Sequence, residues 1–249
     1  MKRAVTSLIF LLAASLLHAQ TPDALIEKGD QMDKALKNAD ALQDYLEADK
    51  LHPNDSHTLN LISREYALLM ADAVTHPQKA DFAKKALDYA ERAKAANPNN
   101  AKARLGLAIC YGRVAYLEPP KKRIEFAKKI QEEAEASLKL DPTDDYAWHV
   151  LGRWNYEIAN LNPVMAFIVA KLYGKFPDAS NAKAIEYFQK AIAINPNRLI
   201  HHAELGRAYA AAGNKIEARK ELELALHMPS KEKDDEETKE RTRGALKQL

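Results

Sequence analysis

The stretch from Tyr146 to Pro196 limits most sharply what this chain can fold into. It opens with Trp148-x-x-Leu151-Gly152 and closes with Ala184-x-x-x-Phe188-x-x-Ala191-x-x-x-x-Pro196. Spacings of three and four place these side chains on single helix faces. Trp148 and Leu151 read as knobs on a first helix, and Gly152 lets a second helix approach closely. Ala184, Phe188 and Ala191 form a stripe on that second helix. Pro196 stops it, because proline has no amide hydrogen and clashes with the preceding turn. The prolines recur at Pro53, Pro98, Pro142 and Pro196, spaced 45, 44 and 54 residues apart, each after an alanine-rich run. Aligning them recovers the other marks: Gly29, Ala41, Tyr45 and Ala48, then Leu59, Tyr66, Ala86, Ala90 and Ala93. Leu107, Tyr111, Ala134 and Ser137 follow, and finally Leu205, Gly206, Tyr209, Ala218, Leu222 and Ala225 before Pro229.

Two half-signatures in this order mark a helix–turn–helix unit of about 34 residues, the tetratricopeptide repeat. The spacings exceed that period, so extra residues are expected between the two helices of repeats two, three and four. The expected fold is all-α, a tetratricopeptide-repeat α-α superhelix of about five helical pairs with inter-helix insertions and a C-terminal capping helix. Repeats are expected at about 22–55, 56–100, 101–144, 145–198 and 199–230, with the terminal helix at 231–249. The composition fits: 47% hydrophobic, 29% charged and only eight glycines, with no alternating valine and isoleucine pattern to suggest strands.

Residues 1–19 are read apart from the fold. Lys2-Arg3 is a basic start, Ala4 to Leu17 an apolar run, and Leu17-His18-Ala19 a small-residue cleavage site before Gln20. That succession is the pattern of a secretory signal peptide, and it predicts a periplasmic or secreted protein. Its removal leaves equal numbers of basic and acidic residues, and a neutral mature chain is not expected to bind nucleic acid. Cys110 is alone, lies in an apolar helix and reads as a small buried hydrophobe.

The fourth repeat carries the largest insertion, the apolar run Val164 to Tyr173 after Asn162-Pro163, closed by Gly174-Lys175-Phe176-Pro177. About ten apolar residues cannot span a bilayer. The run is either a further helix packed on the solenoid, or a lid or surface that meets a membrane or partner. Asp178 or Ser180 is expected to cap the helix that follows. The tail places Asp234, Asp235, Glu236 and Glu237 before Lys239, Arg241 and Arg243, the order that complements a helix dipole. It reads as the polar terminal helix that seals a solenoid.

The run Trp148-His149-Val150-Leu151-Gly152-Arg153-Trp154 is more particular than the generic repeat. With Phe176-Pro177-x-Ala179 after an insertion and Leu224-Ala225-Leu226-x-x-Pro229 before an acidic tail, it resembles the regulator-of-microtubule-dynamics family from about residue 55 onward. The resemblance implies a helical binding domain with no catalytic residues to carry over. Animal members of that family are intracellular and associated with microtubules or mitochondria, whereas this chain opens on an export-type segment.

No catalytic pattern is legible: there is no His-Glu-x-x-His, no Gly-x-Ser-x-Gly, no phosphate loop and no glycine-rich dinucleotide turn. No metal and no cofactor is expected. What the repeats imply is a groove, because in tetratricopeptide domains the fifth, ninth and twelfth positions of the first helices face the concave side. Counted from the prolines, the ninth position holds Arg64, Arg153 and Arg207, and Arg113 lies one turn beyond it in repeat three. The fifth position holds Asn60 and His149, and the twelfth holds Tyr156. Two functions stay open. One is a protein-interaction scaffold whose arginines clamp a carboxylate or acidic peptide. The other is a carrier of a lipid or another amphipathic molecule, with arginines at the head group and the 164–173 segment over the tail.

Overall fold

The structure is a computed structural model that describes residues 21–173 and 178–249. The signal-peptide reading of residues 1–19 and the Gly174–Pro177 stop therefore lie outside the described residues. Among the described residues twelve helices follow one another and there is no strand. They run α1 Pro22–Lys34, α2 Asn38–Leu51, α3 Ser56–Asp72, α4 His76–Ala96, α5 Ala101–Ala115 and α6 Pro120–Leu140. The second half comprises α7 Asp145–Ala159, α8 Pro163–Tyr173, α9 Asn181–Ile194, α10 Leu199–Ala211, α11 Lys215–His227 and α12 Asp235–Lys247. The pairs α1/α2, α3/α4, α5/α6, α7/α9 and α10/α11 pack closely, and each pair leans on the next. This is an all-α tetratricopeptide-type superhelix.

The prolines act as their chemistry requires. Helices α2, α4, α6, α9 and α11 each stop two residues before a proline. The intervening cap, such as Asn97 or Asp141, is extended (φ −145°, ψ 94° and φ −138°, ψ 92°), because a following proline disfavours helical geometry. Each turn then supplies a new start. Asp55, Asn100, Asp144, Ser180 and Asn214 accept backbone N–H bonds at the N-termini of α3, α5, α7, α9 and α11. Ser180, not Asp178, caps α9.

The second and third hairpins close early: α3 ends at Asp72, leaving Val74 outside it, and α5 at Ala115, leaving Leu117 outside it. The added length becomes extra turns of α4 and α6, each 21 residues long. Only in the fourth pair is the insertion a separate helix, α8. Its Val169 is buried, while Val164 and Phe167 are each 69% exposed.

Between the paired helices lie fully buried alanines, such as Ala86, Ala90 and Ala93 on α4, against larger knobs on the first helices. Gly152 sits where a Cβ would come within 2.8 Å of the Phe188 ring, so the expected close approach of α7 and α9 is real. Trp148, expected in the core, is only half buried. It packs at a tilt against Tyr187 while its indole N–H donates to the Pro142 carbonyl. The buried stripe of α7 runs Ala147, Leu151, Trp154 and Ile158, one residue off Trp148. Cys110 is buried as expected, and burial pushes its thiol up to about 12. Helix α12 lies on α10 and α11 and buries Asp235, Thr238 and Thr242 rather than an apolar stripe.

Candidate functional site

Side chains from the first helices of the pairs, α3, α5, α7 and α10, line two adjoining cavities on one face. One measures about 510 Å³ and the other about 770 Å³. They meet at Ile109, Arg113, Tyr146, Ile200 and Asp234. The smaller holds Asn60 and Arg64, and the larger holds His149 and Arg153. Tyr156 and Arg207 line neither; they pair with each other, the Arg207 guanidinium 4.9 Å from the Tyr156 ring centre.

Arg64, Arg153 and Arg207 share a register, with Arg113 one turn beyond it, but the four do not share an environment. Arg64 donates to Asp33 at 2.8 Å and to the fully buried Glu65 at 3.0 Å. Arg207 donates to both oxygens of Glu204 at 3.0 and 2.7 Å. Arg113 pairs with Asp234 of the C-terminal segment. Arg153 has the weakest local acid: it donates to the Tyr116 hydroxyl at 3.0 Å, and Glu157 stands 4.0 Å away. Burial opposes its charge, but Glu204, Tyr116 and Glu157 outweigh this and hold the guanidinium firmly protonated.

His149 belongs to the wall rather than the open surface. It is 2% exposed, and its Nδ1 lies 3.0 Å from Nδ1 of His201, whose Nε2 is 2.8 Å from Asp145. Burial first, then His201 and the cations Arg153, Arg198 and Arg241, push its pKa well below the ordinary imidazole value. His149 is thus neutral and shares one hydrogen with His201. Asn60 packs over Gly106, where any Cβ would lie 2.0 Å from its amide oxygen. That oxygen is buried without a hydrogen-bond partner. Among the described residues no group of histidine, cysteine and carboxylate side chains is arranged to hold a metal.

The larger cavity is mostly apolar. Ile109, Ile124, Ile130, Trp154 and Ile158 form its walls, and Met165 and Val169 of α8 close one side. Its polar rim carries four arginines, Arg113, Arg123, Arg153 and Arg241, against three carboxylates, Glu157, Asp234 and Glu237. Such a site can hold a carboxylate or phosphate beside an apolar group. Residues 24–249 match the sequence profile described as regulator of microtubule dynamics protein 1-3. The chain belongs to this family.

Among the family's curated members it is 26% identical over 217 residues to regulator of microtubule dynamics protein 3 of Xenopus laevis, covering 86% of this chain and 47% of that protein. With protein 1 of Bos taurus the identity is 28% over 219 residues, 83% of this chain and 68% of that one. The chain thus spans about half the length of the frog relative and about two thirds of the bovine one. In fold it is similar to TTC0263, a thermophilic TPR protein of Thermus thermophilus (TM-score 0.63, 17% identity, 91% of this chain and 99% of that chain). PilF of Pseudomonas aeruginosa gives a TM-score of 0.54 at 16% identity, covering 92% and 91% of the two chains.

Two parts of this family member's groove escape a reading by register. Arg198 precedes α10 instead of standing at its ninth position, yet it reaches Asp145 at 2.7 Å and Glu232 at 2.8 Å. The segment Lys231–Asp235, read from sequence as part of a terminal helix, lines the smaller cavity itself. Its acids match a helix N-terminus equally well, so sequence alone gives no sign of the groove contact.

Proposed function

We propose that this chain is a non-catalytic scaffold, exported to the cell envelope, that binds an acidic segment of a partner protein along its concave face. The observation that carries this reading is the rim of the larger cavity, where Arg113, Arg153 and Arg241 surround apolar walls. A partner segment with an apolar side chain for the cavity and a carboxylate for Arg153 meets both surfaces. A planar guanidinium grips a carboxylate through two parallel hydrogen bonds. The apolar walls, closed on one side by Met165 and Val169, also favour a second reading, a carrier of an amphipathic anion such as a lipid.

Native mass spectrometry of protein purified from its own host tests this directly. Co-purified peptide supports the scaffold. A stoichiometric lipid mass, with no peptide, replaces it by the carrier. Export rests on the basic, apolar and small-residue succession of residues 2–19, and N-terminal sequencing is expected to begin at Gln20. An intact Met1 in the mature protein would overturn that part of the proposal.

A further inference from the structure

The segment between α11 and α12 crosses the groove, and its contacts reach almost every repeat. Glu232 meets Arg198 at the start of α10, and Asp234 meets Arg113 at the end of α5. Between them Lys233 donates to Asn38 of α2 at 3.0 Å and pairs with Asp72 at the end of α3. Asp234 is the residue just before α12, yet its side chain accepts no capping bond from that helix. A carboxylate there ordinarily satisfies a free N–H of the first turn; this one is committed to the groove instead. The strap is folded on itself by Asp235, whose carboxylate accepts from the backbone N–H groups of Lys231 and Glu232, both at 2.8 Å.

Two features set this strap apart from ordinary packing. Its grip is polar and partly wet: the Glu232 side chain is 45% exposed and Asp72 55%, while Arg113 and Asp234 are 24% and 31% exposed. Exposed ion pairs hold weakly and are screened by salt. The cavity beneath it is also unsatisfied, since the buried Asn60 oxygen finds no donor in the strap. A buried acceptor without a donor is costly, so the strap does not complete the floor of this cavity.

We propose that Glu232–Asp234 is a tethered stand-in for the partner: the groove takes a turn-forming segment with two carboxylates two residues apart, for Arg198 and Arg113, and that segment must displace the strap. The proposal rests on the acidic-partner reading above and adds the ligand's register and its competitor. A strap closed nine-tenths of the time weakens apparent affinity about tenfold.

The test uses the full chain and a fluorescein-labelled peptide copying residues 230–237, followed by anisotropy at low salt. Glu232→Gln with Asp234→Asn frees the strap while keeping side-chain shape. Lys233→Glu, which sets a carboxylate against Asp72, is a second route to the same state, and circular dichroism checks folding. The expected result is roughly tenfold tighter peptide binding in both variants. It is lost on adding Arg113→Gln, or on using a peptide with glutamine and asparagine in place of its two acids. Equal affinity for wild type and both folded variants would overturn the strap as competitor and leave the acidic-partner reading standing. No binding of the peptide by any of the folded proteins would sink both.

Discussion

Trp154 and Trp148 lie six residues apart on α7 and carry different loads. Trp154 is 6% exposed, and its indole N–H donates to the Ala127 carbonyl at 2.8 Å, so it joins α7 to α6. Trp148 is half open, with Lys190 lying 4.5 Å over its ring. Truncating a buried tryptophan costs roughly 3–5 kcal/mol, and a half-buried one about half of that. Thermal unfolding is therefore expected to show a clearly larger fall for Trp154→Ala than for Trp148→Ala. Equal falls would mean the buried stripe is misplaced. The histidines add a pH term. The lowered pKa of His149 means its neutral form supports the fold, so its contribution is complete above about pH 6.5 and lost as pH falls below that value. His201 is shifted the same way, with burial outweighing Asp145. His202 is raised by its bond to Glu221, so its contribution is complete below about pH 6.5 and is lost as pH rises through its folded pKa. Between pH 7.5 and 5.5 the midpoint should fall less steeply in His149→Asn and more steeply in His202→Asn. A His149→Asn profile parallel to wild type would refute the buried-neutral assignment.

At the scale of elements, close helix approach and free helix surface make opposite demands on glycine. A Cβ at Gly152 would meet the Phe188 ring at 2.8 Å, whereas at Gly244 of α12 nothing lies within 4 Å. Gly152→Ala is expected to cost about 1–3 kcal/mol through overpacking, and Gly244→Ala to gain about 0.5–1 kcal/mol through helix propensity. Denaturant unfolding of the two variants reads both signs, and a stabilised Gly152→Ala would mean that α7 and α9 are not in contact there. The helix pairs were legible because proline and the alanine stripes act locally, within one or two turns. Where α3 and α5 end was less so: an apolar residue after a helix, such as Val74 at 91% exposure, looks the same in sequence as one inside it. Helix α8 shows the same limit. Its composition is mostly apolar, with Lys171 its single charge, but only tertiary packing decides that Val169 is buried and Phe167 is not.

For the whole molecule, the superhelix was legible and the state of its groove was not. The recurring register places Arg64 and Arg153 in the two cavities, whereas Arg207 of α10 lines neither, since helical periodicity sets which face a residue takes but not where that face opens. The partner each arginine meets depends on chain segments far away: Asp234 stands 121 positions from Arg113, and no local pattern announces that pair. Arg64 and Arg207 are already neutralised by Glu65, Asp33 and Glu204, whereas Arg153, the third arginine of that register, stands 4.0 Å from Glu157. The central claim is that this cation grips an anionic partner although acidic and basic residues nearly balance over the whole chain. The direct measurement is calorimetric titration of a hexaglutamate peptide into wild type, Arg153→Lys and Arg219→Lys at low salt. Arg219 lies on α11, away from both cavities, with its side chain 55% exposed. Arg153→Lys is expected to lose about tenfold to hundredfold in affinity, with unchanged helical content, while Arg219→Lys matches wild type. Equal losses at the two positions, or none at Arg153, would contradict the account.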